Sequence, residues 1–145
     1  MNTPHREIVE RLYHVFMTCP DPNKKEHAQG WAIQEILGHL VDSVSNNHQR
    51  LLRYTPHENF HFPGYAQNDF VARAQYGSFD FQRLLSLWYQ YNHLLLHIID
   101  HIPPDHWTAP ITIGAGPTIT LEQLVNDYFA HIEKHERQIQ RILAA

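Results

Sequence analysis

Cysteine is nearly missing from this chain: Cys19 stands alone among 145 residues. A single thiol excludes any intramolecular disulfide, which suits a reducing cytoplasm. No block of lysines and arginines appears, and the formal net charge is −4 with neutral histidines. The electrostatic footprint for nucleic acid is therefore missing, as is the polybasic signal of a membrane-surface protein. Long apolar runs are also absent: none approaches the roughly 18 residues that span a bilayer. The opening stretch carries Glu7 and Glu10 and no apolar core follows a basic start, so it does not read as a secretory leader. There is no internal repeat and no low-complexity tract.

What is present is enough for one packed domain, residues 1–145, with 43% hydrophobic content and no need of staples. The unusual abundance is histidine, at 13 residues. Histidine is the commonest metal ligand and titrates near neutral pH, but many histidines are simply solvated. Position on the helices must separate the two.

Helical periodicity marks four long segments divided by Pro and Gly punctuation. The first runs from about Pro4 to Thr18 with Ile8, Leu12, Val15 and Phe16 as its stripe, and Cys19-Pro20-Asp21-Pro22 ends it. The second runs from about Ala32 to Tyr54 on Ile33, Ile36, Leu37, Leu40, Val44, Leu51 and Leu52. A long connection, about Pro56 to Gly77, is rich in aromatics and holds a short helix near Asn68–Gln75. Such a connection is often a lid or binding loop. The third long helix starts with Ser78 as N-cap and stops before Pro103, with Leu84, Trp88, Tyr91, Leu95, Ile98 and Ile102 as its seam. Ile111 to Pro117 is compatible with a brief turn or hairpin. The fourth opens on the capping box Thr120-Leu121-Glu122-Gln123 and continues to Ile142. The pattern predicts an all-α fold, a four-helix bundle with a long crossover between the second and third helices that leads the third along the bundle rather than beside its predecessor.

Helix phase, about 100° per residue, then sorts the histidines. On the fourth helix His135 falls within the apolar arc and His131 at its edge, one turn apart, forming a two-point chelate. On the third helix His93, His97 and His101 share the same spacing but lie opposite the seam, on the face expected to be wet. On the second helix His39 flanks the apolar arc, with Ser43, Asn46 and Arg50 following as a polar seam. Alone it reads as a boundary residue; it becomes a ligand if the fourth-helix pair lies opposite. Three neutral imidazoles leave coordination positions open, and imidazole suits zinc, nickel and iron alike. Such a centre can activate water or a thiol and polarise an electrophile. Asp127 and Glu35, each one turn before a histidine, are candidate acceptors for fixing ring tautomers.

Trp31-Ala-Ile-Gln-Glu35-Ile-Leu-Gly-His39-Leu-Val-Asp42-Ser43, continued by Asn46-Asn47-His48-Gln49-Arg50, resembles the second-helix signature of the DinB-like superfamily. Asp127-Tyr128-Phe-Ala-His131-Ile-Glu-Lys-His135-Glu-Arg-Gln-Ile139 resembles its fourth-helix signature, and Phe62 to Val71 resembles the crossover loop of one branch. Ala66 and Asn68 stand where that loop is usually acidic. The resemblance spans nearly the whole chain. It implies a divalent metal held by His39, His131 and His135, and activities such as thiol transfer with low-molecular-weight thiols, including bacillithiol and mycothiol, or glutathione-dependent isomerisation. It also implies a small-molecule substrate and a homodimer.

The leading expectation is a metal-dependent thiol transferase or hydrolase; the alternative is a non-catalytic, dimeric metal- or ligand-binding bundle. A purely structural bundle with incidental histidines is the third possibility. No general base stands out, with Glu35, Asp42 and Tyr65 as guesses. Tyr65 and Gln67 are placed either to reach the pocket or to pack within the loop. Helix phase turns Asn47 toward the core and Asn46 toward the seam. Cys19, beside a proline at a helix end, is read as incidental. Trp31, Trp88 and Trp107 are read as packing residues, with Trp31 able to wall the site.

Overall fold

The computed structural model describes residues 3–145. Met1 and Asn2, which open the expected domain and the stretch read for a leader, lie outside them. Four long helices form: α1 (Thr3–Met17), α2 (Ile33–Arg53), α4 (Phe81–Asp100) and α5 (Leu121–Ala144). The crossover holds β1 (Phe60–Phe62) and a short α3 (Gln67–Ala74); β2 (Pro110–Ile113) and β3 (Thr118–Thr120) lead into α5. Each helix buries one stripe. The largest fully buried side chains are Trp88, Phe16 and Phe129, and Phe16 meets Trp88 edge-on at 5.8 Å.

Side-chain pairs fix the relative directions. Gln34, at the start of α2, donates to the carbonyls of Tyr76 and Phe79, just ahead of α4. Farther along, His48 pairs with Tyr91, so α2 and α4 run parallel. His39 faces His131 and His135, whereas Asn47 borders a void with Leu124 and Tyr128, so α2 and α5 run antiparallel. His5 stacks on Phe129 and Arg11 binds Glu136, so α1 and α5 are parallel. Each of α1 and α2 packs against both α4 and α5. Chain neighbours α1 and α2, and likewise α4 and α5, therefore sit at opposite corners. The expectation that the third long helix would avoid its predecessor is corrected here: α4 lies directly beside α2. Because the two are parallel, the connection must travel back along the bundle to begin α4.

Small strands close the end where α2 and α4 finish. β1 pairs in parallel with β2, and β2 pairs antiparallel with β3. Of the turn and the hairpin left open for this segment the hairpin forms, with Gly114 at φ 55°, the left-handed conformation that glycine tolerates best. β1 was not anticipated: a three-residue strand is too short to show periodicity. The α5 capping box forms as read, with Thr120 Oγ1 accepting from the Gln123 N–H at 3.1 Å. The N-cap of α4 is Asp80 rather than Ser78; its carboxylate accepts from the Arg83 N–H at 2.9 Å, while Ser78 lies in a single 3₁₀ turn. Leu52, counted in the α2 stripe, is 58% exposed. Tyr91 and Ile98 border the α4 core face, and Leu85, Asn92, Leu96 and Ile99 are buried instead.

Candidate metal centre

Gly38 is the residue that brings the crossover onto α2 beside His39. A Cβ there would lie 2.1 Å from the Tyr76 ring, so the ring rests directly on the helix backbone. The Tyr76 hydroxyl donates to Asp42 one turn later. Burial and that carboxylate push the Tyr76 phenol above its ordinary pKa, and burial pushes the Asp42 carboxyl up.

Between α2 and α5 three imidazoles converge. His39 is fully buried, His135 is 8% exposed and His131 is half-buried. The Nε2 atoms of His39 and His131 are 3.2 Å apart, and those of His135 and His131 are 3.0 Å apart. The three candidate ligand atoms lie within 4.8 Å of one another, and this is the single such His/Cys/Asp/Glu cluster among the described residues. Two nitrogens at about 2.0–2.1 Å from a tetrahedral zinc stand about 3.3 Å apart, so the donor set fits a divalent ion.

Electrostatics points the same way. Burial, then the neighbouring imidazoles and Lys134, lowers His39 to about 3. Burial, His135 and Lys134 lower His131 to about 4. His135 is also lowered by burial, against a hydrogen bond to Gln138. All three rings are thus neutral at pH 7, the form that binds metals. The His135 Nδ1–H donates to Gln138 Oε1 at 2.7 Å, which leaves the His135 Nε2 as a bare lone pair aimed at the other rings. Neutral rings can share few protons among three such nitrogens, whereas one cation satisfies them together. The His39 Nδ1 is buried without a partner, and the Trp31 ring walls that side at 4.8 Å.

Other expectations sort cleanly. Glu35 does not support His39: its carboxylate accepts from the Ala32 N–H at 2.9 Å and caps α2. Asp127 is exposed at the cavity rim and makes no hydrogen bond to His131. The acceptor that does orient a ring, Gln138, was missed, although it lies three residues beyond His135, a spacing that places both on one face. His97 and His101 are exposed, and His93 pairs with Glu10 at 3.1 Å, all away from the cluster. Asn47 faces inward as expected, while Asn46 donates to the Asp42 carbonyl. Cys19 is half-buried, and burial raises its thiol pKa, which makes it a poor nucleophile.

His131 opens onto a cavity of about 330 Å³ lined in part by Ser43, Asn47, Arg50, Tyr65 and Tyr128. Tyr65 and Gln67 both reach it from the crossover. Arg50, read as part of a polar seam, is instead buried. Burial and the Asp42 charge outweigh Arg50 at Tyr65, so the Tyr65 phenol is held above its ordinary pKa and keeps its proton.

No helix of the described residues is long and apolar enough to cross a membrane. Among solved structures, YfiT from Bacillus subtilis, described as a probable metal-dependent hydrolase with an unusual four-helix bundle topology, is similar at TM-score 0.76 and 16% identity, over 99% of this chain and 86% of that one. The mycothiol-dependent maleylpyruvate isomerase is similar at TM-score 0.69 and 14% identity, over 95% of this chain but 57% of the isomerase. This chain therefore spans little more than half of that enzyme's length. At these identities the likeness is one of fold. No curated protein matches the sequence. The pattern that defines the DinB superfamily matches residues 7–139, and the chain belongs to that superfamily.

Proposed function

We propose that this protein is a metal-dependent enzyme in which His39, His131 and His135 hold one divalent ion, zinc, nickel or iron, and act on a small molecule. The observation that carries the reading is the convergence of three neutral imidazoles, one of which, His131, lines a cavity of about 330 Å³. When bound, the ion supplies Lewis acidity that activates a thiol or water and polarises an electrophile. The chain's own residues provide the rest. Gln138 holds the His135 ring in its ligating tautomer. The Trp31 ring packs against the His39 ring, and the Tyr76 ring rests on α2 at Gly38. Asn47, Tyr65 and Gln67 line the cavity with polar groups, while the Tyr128 hydroxyl is committed to Asn92.

The reaction class is thiol transfer or hydrolysis, and the fold neighbours support both: one is a probable metal-dependent hydrolase and another a mycothiol-dependent isomerase. A cavity beside the histidines favours this over a bundle that only holds a metal; a non-catalytic ligand-binding bundle would share the cavity but show no turnover. The proposal includes a cytoplasmic homodimer. Leu87 and Leu94, 49% and 45% exposed at heptad spacing on α4, support a self-association face.

The test joins metal content to turnover. Purified protein reconstituted with zinc, nickel or iron is assayed with bacillithiol, mycothiol or glutathione against a panel of electrophiles, and with a panel of esters and amides. One metal per chain and a metal-dependent rate are expected, with both lost in His131→Ala. Full occupancy in that variant, or equal rates without metal, contradicts the proposal.

A further inference from the structure

The cavity beside His131 has a second charged group in its wall. His39, Ser43, Asn47 and Arg50 recur at four-, four- and three-residue steps along one face of α2. The last three line the cavity together with His131. Arg50 is 8% exposed. Its Nη1 donates to Asn47 Oδ1 at 3.5 Å, a long contact, and its Nε is buried with no partner. None of the ion pairs among the described residues includes Arg50. Asp127, the carboxylate on the same cavity, is exposed at its rim. A guanidinium is always charged and presents a planar fork of donors. Buried charge without a counter-charge is costly, and proteins keep it where a ligand completes it. The Nη1 contact to Asn47, and the effect of Arg50 on Tyr65, place the fork toward this cavity, although Arg50 also borders a depression lined by Arg53 and Phe60.

We propose that Arg50 binds a carboxylate of the molecule that reacts at the three-histidine centre, fixing that molecule's far end. This rests on the cavity being the substrate site. Eleven helical steps, about 16 Å along the axis, separate Arg50 from His39; both side chains lean toward the N-terminus, so only the longer reach of arginine narrows the gap. Between the two ends, Ile113, Ile119 and Leu124 supply apolar wall. The expected ligand is therefore an extended small acid with an apolar middle and its reactive atom at the end opposite the carboxylate. Either the electrophile or the thiol can carry that carboxylate.

Binding is measured on metal-free protein, so that a failure to hold metal and a failure at Arg50 give separate results. Hexanoate and hexanamide model the electrophile; N-acetylcysteine and its amide model the thiol. Each is titrated while the Arg50 side-chain Nε–H is followed by NMR, its resonance assigned in the wild-type protein by through-bond correlation to the Arg50 backbone. At least one acid is expected to bind tenfold or more tightly than its own amide and to move the Nε–H resonance. The pair that discriminates identifies which reactant carries the carboxylate. In Arg50→Lys that preference should fall about tenfold, with melting temperature recorded alongside. Acid and amide binding alike, an unmoved Nε–H, or no binding of either acid overturns the proposal; the wild-type resonance decides it even if the variant does not fold.

Discussion

Of the three imidazoles, His135 is the one whose tautomer the protein visibly sets, through Gln138. An acceptor on the non-ligating nitrogen raises ligand basicity and prevents ring rotation. Replacing Gln138→Ala is expected to weaken zinc binding about 10- to 100-fold, read by competition with a chromogenic chelator, while Gln138→Glu keeps an acceptor and most of the affinity. Unchanged affinity in the alanine variant contradicts this role. The same rings make a pH prediction for the metal-free protein. His39 and His131 are depressed from 6.5 to about 3 and about 4 in the folded state. Between those values and 6.5 the unfolded chain binds more protons, so stability rises with pH. The stabilisation is complete above pH 6.5 and is lost as the pH falls. His5, lowered by burial against Phe129, adds in the same direction. Urea midpoints should be level from pH 8 to 7 and decline from pH 6.5 to 5, above the main carboxylate range. A level profile down to pH 5 contradicts the burial of neutral rings.

Helix phase placed His135 in the core and His131 at its edge because α5 is long and its stripe is clear, while His39, read as flanking the arc, is fully buried. It also rejected His97 and His101, which spacing alone would have chosen. It misjudged Arg50 and Leu52, because burial near a helix end depends on what the following loop covers. The tyrosine that covers α2 is likewise invisible until the crossover is folded. Its seat predicts that Gly38→Ala destabilises the protein by about 1–3 kcal/mol, the usual cost of overpacking. Denaturant unfolding should show it, and the penalty should shrink in a Tyr76→Ala background, since the clash is with that ring. Additive penalties, or a Gly38→Ala protein as stable as the parent, contradict the contact. The element boundaries were mostly legible from punctuation: proline ended α1 and α4, and Thr120 with Gln123 started α5. The start of α4 was not, because Ser78 and Asp80 are both good caps and the charged acceptor took the position.

At the scale of the molecule, the arrangement of helices decides whether a site exists. Periodicity reports which face of each helix is buried but not which helix it faces. Diagonal placement of α1 and α2, and of α4 and α5, puts α2 against α5 and so brings His39 to the pair on α5. The DinB resemblance implied that meeting; composition and spacing alone left it open. The cavity was the least legible feature, because it is assembled from α2, α5, the crossover and the β2–β3 hairpin together. The central claim is that these elements hold one ion on three Nε2 atoms. Anomalous diffraction from reconstituted crystals, measured on both sides of the metal absorption edge, tests it most directly. A single peak per chain is expected, about 2.0–2.1 Å from the Nε2 atoms of His39, His131 and His135. No peak there at full reconstitution, or an ion held instead by the surface pair His97 and His101, contradicts the account.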